Sequence, residues 1–287
     1  MATSKKKLAL SFDVECYYQI VAKDFLAKTV VPTDECLENT NWILDELAQH
    51  DAKATFFFLG NIADKYPSLV QRAEAEGHEI GVHGYDHHYI DKMDEREFAG
   101  ESALATKAIL KAGASEITGH RAPAFSINRS NLWALDVLKA AGMKYDSSIF
   151  LIAGARYGEP DWDVAPDWAE NGLYEIPMSV IHLMGKRLPA MGGGYVRYFP
   201  YAWTRFCAKK VNKENLVPIV YFHPYEFSMS RVKANKLPTE GADAETMKRL
   251  KKFNFLQSVG RGKSMRGKLT KMITENQAIP LGDMLPF

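Results

Sequence analysis

The sequence predicts an α/β protein built as an incomplete (β/α) barrel of about seven parallel strands. Three observations carry this expectation. Short apolar runs alternate along the chain with longer segments of helical periodicity. The first run, 8–14, is apolar enough to be a central strand. Residues able to do chemistry then fall at the ends of the runs, as they do on the C-terminal rim of a parallel barrel.

In chain order the strand-like runs are 8–14, 55–59, 79–82, 117–119, 145–150, 174–177 and 219–222. The segment 36–50 sets Leu37, Trp42, Ile43, Leu44 and Leu47 largely on one side, with Thr33 and Asp34 as start signals. Segments 95–112 and 131–141 read the same way, and Gly77 and Gly142 close helices. Two regions break the rhythm. Residues 152–172 read as a long loop holding Trp162 and Trp168 among glycine and proline. Gly192-Gly193-Gly194 permits a close backbone approach, either to a ligand or to another chain segment. From Arg231 onward the chain is polar and basic, which divides it into a barrel over 1–230 and a helical extension, packed on the barrel, over 231–287.

The chain has 287 residues with 36 Lys+Arg against 35 Asp+Glu. That balance excludes a duplex-DNA binder, whose affinity comes from basic residues facing phosphates. No apolar run approaches the roughly 20 residues that span a bilayer. Lys5-Lys6-Lys7 is followed by too short an apolar stretch for a signal peptide. Three cysteines without paired spacing indicate neither a disulfide framework nor a cysteine zinc site, so a reducing, cytoplasmic compartment is expected.

The strand ends supply the chemistry. His83 and His87 stand four apart, so over one helical turn both could face one ion. Gly84 occupies the place of the glutamate base in a zincin and excludes that class. Asp13 and Glu15 have the spacing of one strand face, and two such acids are costly unless a cation or a shared proton joins them. Arg121, ahead of Pro123, could hold Asp13 in orientation and keep it ionised, or be a surface arginine. His223 closes the last run as a proton donor or a structural histidine. Trp162, Trp168 and Tyr195 are candidates for stacking on a sugar.

In this order the motifs resemble the polysaccharide deacetylases, carbohydrate esterase family 4. Ser11-Phe12-Asp13, His83-x-x-x-His87, Arg121-Ala122-Pro123, Tyr145-Asp146-Ser147-Ser148 and Phe222-His223-Pro224 match its five motifs over roughly residues 8–227. Phe-Asp-Val-Glu, Gly-Gly-Gly-Tyr and Tyr-Phe-His-Pro further resemble the subgroup from bacterial exopolysaccharide clusters. The resemblance implies a distorted (β/α) barrel, one divalent ion, usually Zn2+, and hydrolysis of an N-acetyl group on an amino sugar. It implies Asp13 as base, Arg121 as its partner and His223 as acid, with Asp146, Pro123, Tyr195 and Trp162 as substrate contacts. The family's adjacent Asp-Asp is here Asp13-Val14, which makes Glu15 the expected third metal ligand beside His83 and His87. Expected partners are an amino-sugar glycan or its lipid-linked or nucleotide-linked precursor, with a peripheral membrane contact open and no nucleic acid. Rival readings are a deformylase or amidase of the same superfamily and a glycan-binding protein on a degraded barrel.

Overall fold

The computed structural model describes residues 5–152, 158–232 and 236–286. Its first half runs β1 (Lys7–Val14), α1 (Tyr17–Leu26), α2 (Asp34–Gln49), β2 (Thr55–Phe58), α3 (Gly60–Lys65), α4 (Pro67–Ala75), β3 (Glu79–Val82), α5 (Glu95–Ala112), β4 (Gly119–His120), α6 (Trp133–Ala140) and β5 (Tyr145–Asp146). Then come β6 (Asp167–Trp168), β7 (Tyr174–Glu175), a hairpin of β8 (Val180–Leu183) and β9 (Lys186–Pro189), α7 (Gly193–Tyr198), α8 (Tyr201–Lys213) and β10 (Ile219–Phe222). The chain finishes with α9 (Ala244–Ser258), α10 (Lys263–Glu275) and β11 (Gln277–Ile279).

The sheet is ordered β10-β1-β2-β3-β4-β5-β7-β6, with β11 also on β1. Every pairing along it is parallel except β6 with β7. All seven expected strands are present in this curled sheet, and it is an incomplete barrel. β1 lies second in this order, between β10 and β2, and the alternation along it sorts two cores. Leu8, Leu10, Phe12 and Val14 join the core under the helices. Ala9 joins Phe57, Tyr145, Ile176 and Ile219 in the barrel interior. That interior is narrow because Gly81 and Gly119 lack a Cβ, leaving their places to the rings of Phe57 and Tyr145. Each ring so buried contributes about 1.5–3 kcal/mol.

The sequence under-read several places. The glycine run opens helix α7, and helix α1, the hairpin β8–β9 and helix α8 were not anticipated. The expected loop over 152–172 holds the short strand β6, while residues 153–157 lie outside the described residues. The segment after 230 is also more than a helical extension. β11 pairs with Lys7–Ala9 on the side that β2 takes further along, and Ile279 and Leu281 enter the barrel interior. Leu281 donates its N–H to Thr55 Oγ1 at 2.7 Å and Gly282 to Glu79 at 3.0 Å, so the C-terminal segment plugs the bottom of the barrel.

Candidate metal centre and active site

Parallel register alone brings the key residues to one level. Val14, Phe58 and Val82 are paired in a row that continues through His120, Asp146 and Glu175. One residue further along each strand stand Glu15, His83, Arg121 and Ser147, and their side chains turn the opposite way, into the barrel mouth. On β1's other flank Phe12 pairs with Phe222, which sets His223 level with Asp13.

Glu15, His83 and His87 form a buried cluster whose ligand atoms all lie within 4.8 Å of one another. Glu15 Oε2 is 3.4 Å from His83 Nε2 and 3.0 Å from His87 Nε2. The histidines do not converge by a helical turn, as their spacing suggested. The chain leaves β3 in an irregular turn, with Gly84 at φ +79° and His87 at φ +54°. A Cβ on Gly84 would press on Pro123, so glycine answers both the φ and the packing there.

These residues fit a divalent ion. His83 Nδ1 lies 2.8 Å from the Arg121 carbonyl oxygen, to which it donates, so the lone pair of Nε2 faces the cluster. Glu15 Oε2 is buried without a hydrogen-bond partner among the described residues, which suits a ligand atom. Burial alone would raise the Glu15 pKa, but His223, His87 and His83 around it hold the carboxyl well below the usual range. Two imidazoles and one carboxylate are the donor set of an open, catalytic zinc site.

Beside the cluster Asp13 and Arg121 form a second buried unit. Arg121 is 0% exposed, and its Nη1 donates to Asp13 Oδ1 and Ser11 Oγ, both at 2.8 Å. Its Nε donates to the Ser147 carbonyl at 3.2 Å and its Nη2 to Ser147 Oγ at 3.0 Å. The Phe57 ring packs 4.4 Å from the guanidinium carbon. Arg121 is therefore no surface arginine: it fixes the carboxylate of Asp13 next to Glu15.

His223 faces the cluster from β1's other flank, with Nε2 3.4 Å from Glu15 Oε1. Burial disfavours its charged form, yet Glu15 and Glu226 outweigh that and its pKa is pushed up to about 9. Glu226 escaped the sequence reading. It lies three residues on, in a short turn, is 1% exposed, and accepts the His223 backbone N–H at 3.1 Å with Nδ1 at 3.4 Å. Tyr225 stacks on the imidazole at 4.9 Å. The signal was present as a carboxylate at i+3 from a strand-end histidine. Gly193 backs directly onto the Glu226 carboxylate, and Gly192 onto the ring of Tyr221, so the glycine run serves a close approach of chain to chain. Gly193→Ala is expected to push Glu226 off His223, lowering kcat and costing about 1–3 kcal/mol of stability. Unchanged turnover and melting in that variant would show that the carboxylate has room to move.

One expected substrate contact, Asp146, faces away from the mouth. Asp146 lies on the outer side of the sheet, 0% exposed, where it takes His120 Nδ1 at 2.6 Å and Ser148 Oγ at 2.7 Å. Strand parity makes it a brace for the loop that carries Arg121, since Ser148 Oγ accepts the Ala122 N–H at 2.8 Å. Pro123 is buried against Gly84 and shapes the histidine turn. Tyr195, half-buried on α7, is near Tyr221, whose ring edges His223 at 5.6 Å. Trp162 donates its backbone N–H to the Glu159 carbonyl at 3.1 Å, its own carbonyl accepts Arg187 Nη1 at 2.8 Å, and no described contact joins it to the cluster. Trp168 is 48% exposed and packs on Tyr174. A cavity of about 780 Å³ opens beside His87, between Lys23, Tyr89, Met93 and Glu101.

Fold and site define a (β/α)-barrel protein with a carboxylate–imidazole cluster on its C-terminal rim. A family model described as polysaccharide deacetylase matches residues 1–146, and the chain belongs to that family of carbohydrate esterases. Residues 147–281 match a domain of unknown function, DUF3473, and this pairing is the one seen in exopolysaccharide-cluster deacetylases. The boundary runs through the site: Ser147, His223 and Glu226 belong to the second region and the other polar groups to the first. A chitooligosaccharide deacetylase of Bradyrhizobium is 33% identical over 141 residues, 48% of this chain and 57% of its own length. A peptidoglycan-N-acetylglucosamine deacetylase of Bacillus cereus is 47% identical over 74 residues, 26% of each chain. The matches thus span from a quarter to just over half of these relatives. A solved structure assigned as a polysaccharide deacetylase of Mycobacterium smegmatis has the same fold, with a TM-score of 0.60, 17% identity and coverage of 98% of this chain and 94% of that one.

Proposed function

We propose that the protein is a metal-dependent hydrolase that removes the N-acetyl group from an amino sugar of a bacterial glycan or glycan precursor. The observation that carries this reading is the Glu15–His83–His87 cluster beside the buried Asp13–Arg121 pair. Its relatives are deacetylases of N-acetylated amino-sugar glycans by name, which favours the acetamide as the bond cleaved. Glu15, His83 and His87 would hold a zinc ion. Such an ion supplies Lewis acidity, which acidifies water and polarises an acyl oxygen. Asp13, its carboxylate fixed by Arg121, accepts the proton of the attacking water. An amine is a poor leaving group, so it needs a proton as the C–N bond breaks. His223, held by Glu226, donates that proton. Among the described residues no helix is long and apolar enough to cross a membrane.

The test is acetate release from N-acetylglucosamine oligomers, before and after chelation. Turnover is expected to vanish in the chelated protein and to return with added Zn2+. Formate release from N-formylated sugars with none from the acetylated ones would replace the acyl group in this proposal. Binding of oligomers with no acyl release would sink the hydrolase reading.

A further inference from the structure

Helix α8 carries two surfaces that the deacetylase site does not use. On one shoulder Trp203 and Phe206 continue a row begun by Phe199, which lies just before the helix in extended backbone. Phe199 is 45% and Phe206 38% exposed, and their rings lie 5.6 and 5.4 Å from that of Trp203 between them. Lys210 caps this ladder, 5.7 Å from the Phe206 ring. On the other shoulder α8 lines a groove of about 670 Å³ with Lys5, Lys6, Arg205, Lys209 and Lys213 against one carboxylate, Glu275. Glu275 is itself spent, 3.3 Å from Arg205 and 3.1 Å from the Tyr201 hydroxyl. Lys209 and Lys213 separate the two shoulders on the helix wheel, so aromatic strip and basic groove form one face.

We propose that this face docks the protein on a bilayer surface rich in anionic lipids. Five cations against one carboxylate are concentrated here on a chain whose whole charge is +1. The charge complements anionic headgroups, and two exposed phenylalanines flanking a partly buried tryptophan beside lysines suit the level where headgroup meets acyl chain. A second copy of the chain fits poorly, since like charges would face each other. A glycan fits less well too: phenylalanine offers no polar group to sugar hydroxyls, and the three rings already lie against one another.

Vesicle flotation with the full chain tests this. Binding is expected to phosphatidylcholine vesicles containing phosphatidylglycerol, not to phosphatidylcholine alone, and to weaken with salt. Each lysine lost should weaken binding roughly fivefold, so Lys209→Gln with Lys213→Gln gives roughly 25-fold. Phe199→Ser with Phe206→Ser should also release the protein, with far-UV circular dichroism and melting unchanged. Brominated lipids should quench tryptophan emission in the native chain, and Trp203→Phe should bind yet lose most of that quenching. Equal binding to both vesicles, or none, overturns the proposal. So does tight binding to dextran sulfate that is indifferent to the aromatic changes, or a self-association that the same variants abolish.

Discussion

Glu15→Ala is expected to lose bound metal and turnover together, whereas Asp13→Asn and His223→Ala keep the metal and lose roughly 10²–10⁴ in kcat. The division follows from the geometry of β1. Asp13 and Glu15 share the inward face, and Val14 between them is 0% exposed in the core under the helices. Asp13 is committed to Arg121 at 2.8 Å. Glu15 stands one step beyond the last strand residue, and there its carboxylate meets both histidines at 3.4 and 3.0 Å. A family that places adjacent aspartates at this point must turn both toward one ion. Here the longer side chain at the next inward position covers the distance instead. Metal analysis of the purified variants, with acetate release measured in parallel, checks the assignment. Should Asp13→Asn shed the ion and Glu15→Ala retain it, the two carboxylates exchange roles.

The first strand, paired on both flanks though second from the sheet's edge, the strand ends and the converging polar groups were legible because parallel strands obey a simple arithmetic. Period two separates Asp13 from Val14, and equal register sets Glu15, His83 and Arg121 on one rung. The same arithmetic sends Asp146 to the outer face, where it pairs with His120 and cannot reach the mouth. The turn of His83 to His87 was misread because its spacing is also that of a helix, while the positive φ at Gly84 and His87 is a tertiary outcome, settled by Pro123 and by Glu101, which accepts the Tyr85 N–H at 3.2 Å. Glu226 and β11 were missed for another reason. Both depend on contacts across the chain: Glu226 against Gly193, and β11 against a first strand some 270 residues earlier. Strand β11 is three residues long, with too little pattern to separate it from the helical tail.

Arg121→Met is expected to cost about 3–5 kcal/mol of stability as well as turnover, because it strands a buried carboxylate. Asp13 is 2% exposed, and the guanidinium supplies the hydrogen bond that reaches its Oδ1. Arg121→Lys should recover little, since an ammonium cannot serve Asp13, Ser11 and Ser147 at once in the planar fork that arginine provides. The informative variant is the double one, Asp13→Leu with Arg121→Met. Ser11 Oγ still has the Val220 carbonyl at 3.3 Å and Ser147 Oγ the Ile176 carbonyl at 2.8 Å, so neither hydroxyl is orphaned when the guanidinium goes. Removing both charges together therefore deletes the penalty that removing one creates. Denaturant unfolding of the four proteins should show the double variant well above the Arg121→Met single, with a coupling of 1 kcal/mol or more, on the order of that for residues in direct contact. The double variant should hold metal and be catalytically dead, which would separate what this pair does for the reaction from what it does for the fold. Simple additivity of the two losses would mean that the Asp13 carboxylate finds another partner, and that Arg121 holds the barrel mouth through Ser11 and Ser147 rather than through the acid.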